Sequence, residues 1–361
     1  MVSRTGFCDG SIRGVNVIAS ALQEKGFDVD FIHPVFGKKL LNPCFYRDWF
    51  FGSGNGKGFV YPEFFNRGSF TENLGSCFFR FNYWLRMIQF SDIDLDSYDL
   101  FMVESGEGIL NVDLLPGDRL VYRQSDPVEL VLSKSNKSFV DIEHRIIKKA
   151  RLTLVANNKI LGFYKKHYSD LTGRMKVWRN GFYIPEVEGG SPYRSGSVNG
   201  IYVGVKGIDW GLVRKLAVCF PGIDFYFVGI DSCPVELDNV FCMGFLSYRD
   251  WLRYVKYASF VFLPYKKTDR YDYSFESIPS SKNLVFMYYG LPVFVTGYGR
   301  LKDYQKYGFI VSDGSKGFVE NVGLFKKYGF RRLVYSFDFS RYMLKSRKEE
   351  LDRYIGEIFG S

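Results

Sequence analysis

This chain of 361 residues contains no run of 18 apolar residues, so no membrane-spanning helix is expected. No signal peptide is visible at its start. Both readings point to a cytoplasmic protein that meets a membrane, if at all, peripherally and from the cytosolic face. Histidine is scarce: His33, His144 and His167, none close to another. The six cysteines (Cys8, Cys44, Cys77, Cys219, Cys233 and Cys242) form no C-x-x-C pair. A zinc site is therefore not expected, and free thiols in a reducing compartment are the plainer account.

What is present is apolar, aromatic and basic. Apolar residues make up 46% of the chain, enough for two cores of ordinary size. The net charge is +9, which favours anionic ligands, an anionic membrane or nucleic acid. Aromatic content reaches 19% and concentrates in residues 44–90. There Trp49, Phe50, Phe51 and Trp84 are interleaved with Arg47, Lys57, Arg67, Arg80 and Arg86. Gly52–Gly58 reads as a flexible loop, and Cys77–Phe90 has a helical pattern. One account is a core helix with a loop that packs its own aromatics. The functional account is an acceptor or membrane-facing surface, since such side chains seat at the headgroup level of anionic lipid. Stacking on single-stranded nucleic acid ranks lower, because no nucleic-acid motif accompanies the aromatics.

Strand and helix patterns alternate along the chain, which indicates parallel sheets. Arg13–Lys25 has a broad apolar face and stops at Gly26, and Phe27–His33 reads as a strand. Asp99–Glu104, Arg119–Arg123 and Leu152–Ala156 are strands, each followed by polar residues. Phe139–Lys149 is a helix between the last two. Residues 186–199, rich in Gly, Ser and Pro, read as an exposed connection. Beyond them come strands at Asn199–Gly204, Asp224–Gly229, Val240–Leu246 and Phe309–Ser312. Helices are expected over Trp210–Cys219 and Tyr248–Tyr257, and an amphipathic helix or helix pair over residues 337–359.

The organising stretch is residues 259–296. Ser259–Leu263 is a strand closed by Pro264, residues 265–279 are a polar loop, and Ser280–Ser281 offers an N-cap. The helix runs to about Tyr289, Gly290 ends it, and Leu291–Thr296 is a second strand. Ligands bind outside the carboxyl ends of strands in such sheets, and helix N-termini attract anions. Lys282 in the first turn opposes the helix dipole unless an anion lies between them. A diphosphate held by backbone N–H groups and Lys282 fits; an ordinary solvated lysine is the plainer account.

The run S-S-K-x7-G-L-P-V at 280–293 resembles the donor site of GT-B glycosyltransferases, most closely the GumK-type glucuronosyltransferases of family 70. That pattern's Gln and Tyr fall on Val285 and Phe286. The resemblance implies an α/β GT-B fold, two Rossmann-like domains facing an interdomain cleft. It sets an acceptor domain at 1–180, a donor domain at 181–336, and a C-terminal helix at 337–361 crossing back to the first domain. It implies that Ser280, Ser281 and Lys282 contact the diphosphate, and that Tyr265 and Glu276 line the pocket. V-G-x-K-x-I-D-W brings in Gly204, Val205 and Lys206, and the F-x-x-V-G pattern brings in Gly229. YRQSDP at 122–127 resembles the family's Y-R-x-S-D, which makes Asp126 the general base of an inverting reaction, with Glu104 and Glu107 as second choices. Asp126 before Pro127 would equally suit an N-cap or Asx turn. No cofactor or metal is implied. A UDP-sugar donor, first of all UDP-glucuronate, and a saccharide or polyprenyl-linked saccharide acceptor are implied. A glucuronate carboxylate would welcome Lys266, Lys267 or Arg270.

Two other classes remain. A retaining transferase would need no base; its usual donor motif pairs two glutamates, and position 284, where Glu276 would find its partner, is Leu284. A non-catalytic nucleotide-sugar binding protein would bind UDP without turnover.

Overall fold

The computed structural model describes residues 14–24, 26–29, 31–36, 58–63, 94–105, 113–125, 127, 129, 137–204, 207–267 and 280–359. Among these, one unit holds the residues up to Arg179 together with those from Lys345 onward, and the other holds Asn180–Leu344. The aromatic surface residues Trp49, Phe50, Phe51 and Trp84 lie outside the described residues, as do Asp126, Glu107, Val205, Lys206, Arg270 and Glu276.

The first unit starts with α1 (Gly14–Glu24), whose Ile18, Ala19, Ala21 and Leu22 are buried. Strands β1 (Phe31–Phe36) and β2 (Gly58–Glu63) pair in parallel. A second parallel sheet runs in chain order: β3 (Phe101–Glu104), β4 (Leu120–Gln124), β5 (Leu152–Val155) and β6 (Met175–Val177). Helix α2 (Lys137–Lys149) buries Ile142, Ile146 and Ile147, the stripe its sequence period requires. Helix α3 (Asn158–His167) is capped by Asn157, whose Oδ1 accepts from the N–H groups of Lys159 and Ile160 at 2.9 and 3.0 Å.

The second unit is a doubly wound sheet of six parallel strands. In chain order its elements are β7 (Val198–Val203), α4 (Trp210–Cys219), β8 (Ile223–Val228), β9 (Val240–Cys242), α5 (Tyr248–Tyr257) and β10 (Phe260–Leu263). Then follow α6 (Ser281–Tyr288), β11 (Val293–Thr296), β12 (Ile310–Ser312) and α7 (Gly314–Tyr328). The spatial order is β12-β11-β10-β7-β8-β9. Strands β8, β10 and β11 are buried along their whole length, as expected where helices cover both faces. Their core is aromatic: Phe262 meets Phe225 and Phe227 edge-on at 5.3 and 5.2 Å. Gly200 on β7 makes room for it, since a Cβ there would lie 2.6 Å from the Phe260 ring.

The final helix α8 (Leu344–Phe359) packs on the first unit. The buried Trp178 donates its indole N–H to the carbonyl of Arg347 at 2.9 Å, and Tyr354 Oη reaches the carbonyl of Val177 at 3.3 Å. Lys348 pairs with Glu24 of α1. The α/β class, the parallel sheets in two domains and the returning helix are thus as the resemblance implies.

Three expectations are corrected and one is refined. The strand expected at Phe27–His33 begins at Phe31, because Gly26 turns out of α1 at φ +88° and leaves Phe27 exposed. The strand expected at Val240–Leu246 stops at Cys242, where Gly244, at φ +63°, turns its N–H onto the carbonyl of Ile230 at 2.9 Å. Residues 186–199 are exposed over most of their length, as expected, but are held to the unit. Arg253, Lys256 and Tyr257 of α5 hold the carbonyls of Gly190, Val187 and Gly189, and Tyr193 is buried. The cysteines are not all free thiols: Cys233 and Cys242 form a disulfide with Cα atoms 5.7 Å apart, while Cys219 is free and exposed.

Candidate functional site

The chain leaves β7 toward β8 on one side and leaves β10 toward β11 on the other, although β7 and β10 are neighbours. A crevice therefore opens at their carboxyl ends, where this class of sheet binds ligands. The two loops there are tied together. Asp209 donates its N–H to the carbonyl of Pro264, and Lys266 donates to the carbonyl of Gly207, both at 2.7 Å. Ile208 and Tyr265 form an antiparallel bridge between these bonds. Asp209 also caps α4 through Leu212 N at 3.0 Å, and the carbonyl of Tyr265 accepts from Thr296 Oγ1 at 3.0 Å. Tyr265 is thereby fixed by three strands' ends, and Lys266 and Lys267 beyond it are exposed.

Lys282 enters from α6. Its Nζ donates to the carbonyl of Val203, the last residue of β7, at 2.9 Å and lies 5.8 Å from the centre of the Tyr202 ring. A Cβ on Gly204 would fall 2.7 Å from Tyr202 Oη and 3.2 Å from Lys282 Nζ. Gly204 is therefore a place where backbone must come close to a cation and a phenol. Tyr202 was not foreseen from sequence. Its position two residues before Gly204 on a strand was the available signal, since alternation puts residues two apart on one face.

Ser280 stands at the N-cap of α6, but contrary to expectation its side chain caps nothing. Its Oγ is buried and has no hydrogen-bond partner. The first amides of any helix lack intrahelical acceptors, and the Ser280 side chain supplies none to this turn. At the far end Gly290 closes the helix at φ +67°, its N–H on the carbonyl of Met287 and that of Leu291 on the carbonyl of Phe286. Gly204 and Gly229 have their amides in use, bonded to the carbonyls of Val228 and Gly244 at 3.0 and 2.7 Å. What these glycines offer is close approach, not free donors. Gly204, Gly229, Tyr265, Ser280, Ser281 and Lys282 thus all sit at the carboxyl edge of one sheet.

In the first unit, β3 and β4 end side by side. Ser125 donates its N–H to Ser105 Oγ at 3.1 Å and its hydroxyl to Glu104 Oε1 at 3.4 Å. Glu104, a second choice for the base, is 9% exposed there. The preceding residues of YRQSDP are anchors. Tyr122 Oη donates to Glu143 at 2.6 Å, Gln124 Nε2 donates to Glu143 at 3.0 Å, and Tyr164 Oη donates to Glu143 at 3.2 Å. Burial, and then the Glu143 carboxylate, push both phenols above the ordinary tyrosine range. The buried Arg123 guanidinium lies 4.9 Å from the Trp178 ring and donates to the carbonyls of Gln124 and Leu154. Among the described residues, no three His, Cys, Asp or Glu side chains gather as they would around a metal ion.

No family model matches the chain, and no curated protein matches it in sequence. Solved structures do match in shape. A sucrose-phosphate synthase from Thermosynechococcus elongatus aligns over 99% of this chain and 98% of its own, at a TM-score of 0.68 and 12% identity. HepE from Anabaena, solved with UDP and glucose, aligns over 99% and 98% at 0.62 and 12%. A UDP-N-acetylglucosamine 2-epimerase aligns over 95% and 93% at 0.54 and 11%. The fold is GT-B. In this GT-B chain the crevice beside Lys282 lies at the carboxyl edge of the second sheet, the edge where the fold class binds ligands. No described helix is long and apolar enough to cross a membrane.

Proposed function

We propose that this chain is a glycosyltransferase that takes a sugar from a UDP-sugar bound in the second unit. The observation that carries the proposal is the convergence of Lys282, Gly204 and Tyr202 at the β7/β10 crevice, next to the uncapped start of α6. A diphosphate would bring negative charge to Lys282 and acceptors to the first-turn amides. The HepE structure, which contains UDP and glucose on the same fold, supports the reading.

The finer assignment follows the family 70 resemblance. The reaction is inverting and metal-independent, with Asp126 taking the acceptor hydroxyl's proton as that oxygen attacks the anomeric carbon. Cations and helix-end amides stabilise the UDP leaving group. Glucuronate is the first donor to try, because Lys266 and Lys267 stand exposed beyond Tyr265 where a sugar carboxylate would meet them. The acceptor is a saccharide, free or lipid-linked, met by the aromatic residues of 44–90.

A thermal-shift panel of UDP, GDP, CMP, ADP and dTDP with and without EDTA tests the donor site. Saturation at about a hundred times Kd adds ~2.7 kcal/mol of stability. A UDP-selective shift that survives EDTA supports the proposal, and no shift with any nucleotide overturns it. UDP-sugar turnover with acceptor, lost in Asp126→Ala, supports inversion; retained turnover in that variant favours a retaining enzyme. Conversion of UDP-N-acetylglucosamine without acceptor would instead favour an epimerase, an activity also found on this fold.

A further inference from the structure

The second unit carries an unassigned surface at the amino edge of its sheet, opposite the crevice. Seven large apolar side chains are exposed among the described residues, and four of them (Val218, Leu324, Tyr328 and Val334) fall on α4, α7 and the segment after α7. The carboxyl ends of α4 and α7 lie together. Phe220, the C-cap of α4, stands over Gly323 of α7, where an added Cβ would lie 3.5 Å from the Phe220 ring, and Lys326 Nζ lies 5.6 Å from the centre of that ring. The segment after α7 is pinned at the same edge of the sheet. Leu333 N donates to the carbonyl of Gly290 at 2.7 Å, and Arg332 holds the carbonyls of Tyr289 and Lys256. Gly290 precedes β11, which fixes the surface at the amino edge.

Charge selects the occupant. Residues 210–222 and 321–335 carry six Lys or Arg and no Asp or Glu. Lys326, Lys327 and Arg331 are exposed among the apolar side chains, and Lys327 Nζ lies 5.5 Å from the Tyr328 ring. Apolar side chains standing out of a field of cations match a lipid headgroup layer, where the chains enter the acyl boundary and the cations meet anionic phosphates. A nucleic acid would call instead for a groove with several stacking rings, and Tyr328 is the one exposed aromatic side chain of this set.

We propose that this face docks on an anionic bilayer. The docking is independent of the transferase reading, because the crevice lies at the other edge of the sheet and stays open when this edge is covered. Lipid-linked acceptors would gain from it, yet a chain that failed to bind UDP would still dock.

The test is co-sedimentation of the full chain with phosphatidylcholine vesicles, with and without a third of phosphatidylglycerol, at low and high salt. The variants are Leu324→Asp/Tyr328→Asp and Lys326→Glu/Lys327→Glu. Expected is salt-sensitive partitioning onto the anionic vesicles alone, falling about tenfold or more in each double variant. Both variants should keep the wild-type melting temperature and UDP response, since every altered side chain is exposed. Equal partitioning of wild type and variants would overturn the proposal by placing membrane contact elsewhere in the chain. So would wild-type indifference to phosphatidylglycerol, or a preference for a single-stranded oligonucleotide that the charge-reversal variant abolishes.

Discussion

Lys282 of α6 reaches across to Val203, the last residue of β7, and donates its ammonium to that carbonyl at 2.9 Å. A cation in the first turn of a helix opposes the helix dipole. The strand end compensates with a carbonyl, and the Tyr202 ring with its face. Lys282 is therefore held at the crevice before any ligand arrives, and little of its entropy remains to be lost on binding.

Lys282→Met should leave the fold intact and weaken UDP binding about ten- to a hundredfold, since a hydrogen bond to a charged group contributes ~1.5–3 kcal/mol. Lys282→Arg should not restore it, because the planar fork does not fit a site shaped for a point charge. Titration calorimetry with UDP reads both. An unchanged affinity in Lys282→Met would remove this lysine from the donor site.

Gly204→Ala should destabilise the second unit by ~1–3 kcal/mol, the usual cost of forcing an extra carbon into packed surroundings. The new Cβ would lie 2.7 Å from Tyr202 Oη, so Gly204→Ala/Tyr202→Phe should recover part of the loss. Denaturant melts of the two variants decide this. A single variant as stable as the wild type would mean the backbone has slack that the structure does not show.

The Cys233–Cys242 bridge spans nine residues of sequence between β8 and the end of β9. Closing so short a loop stabilises by about 2–3 kcal/mol in the chain-entropy account. A thiol reductant should therefore lower the melting temperature of the wild type. Cys233→Ser/Cys242→Ser should melt at that lower temperature with or without the reductant. A wild type indifferent to reductant would show that the bridge contributes nothing.

Alkaline pH should destabilise the protein. Burial raises the phenol pKa of Tyr122, Tyr164, Tyr193, Tyr248 and Tyr335, and Glu143 adds to the first two. Unfolded tyrosines ionise near pH ~10 while these stay protonated in the fold. The unfolded chain then binds fewer protons than the native one, so stability falls as pH rises. The contribution is complete below about pH 10 and is lost above it as pH climbs toward the folded values. Melting temperatures that stay flat to about pH 11 would contradict the burial of these phenols.

Much of the second unit was legible because its signals are local. Trp210–Cys219 and Tyr248–Tyr257 have the helix boundaries their sequence shows, each opened by a capping side chain, Asp209 or Ser247. Helix α7 shows no comparable signal: Gly314, Gly317 and Gly323 interrupt it, and packing on the sheet sustains it. The donor-edge residues came from an ordered run of short patterns, whereas Tyr202 and Glu143 did not. Both act by contact with residues at least two positions away, and Glu143 meets Tyr122 across 21 positions.

The sequence by itself determined the class of fold, the alternation of strands and helices, and the placing of Ser280–Lys282 at a helix start. Periodicity, caps and glycines act over a few residues, so they can be read without neighbours. The tertiary structure alone decided the strand order that opens the crevice, the partner of Lys282, the pairing of Cys233 with Cys242, and the idle Ser280 hydroxyl. The strand order and the Lys282 contact join segments far apart in the chain, the disulfide closes a loop that no local pattern marks, and the Ser280 hydroxyl lost its partner to packing; all of these are set by which surfaces bury each other.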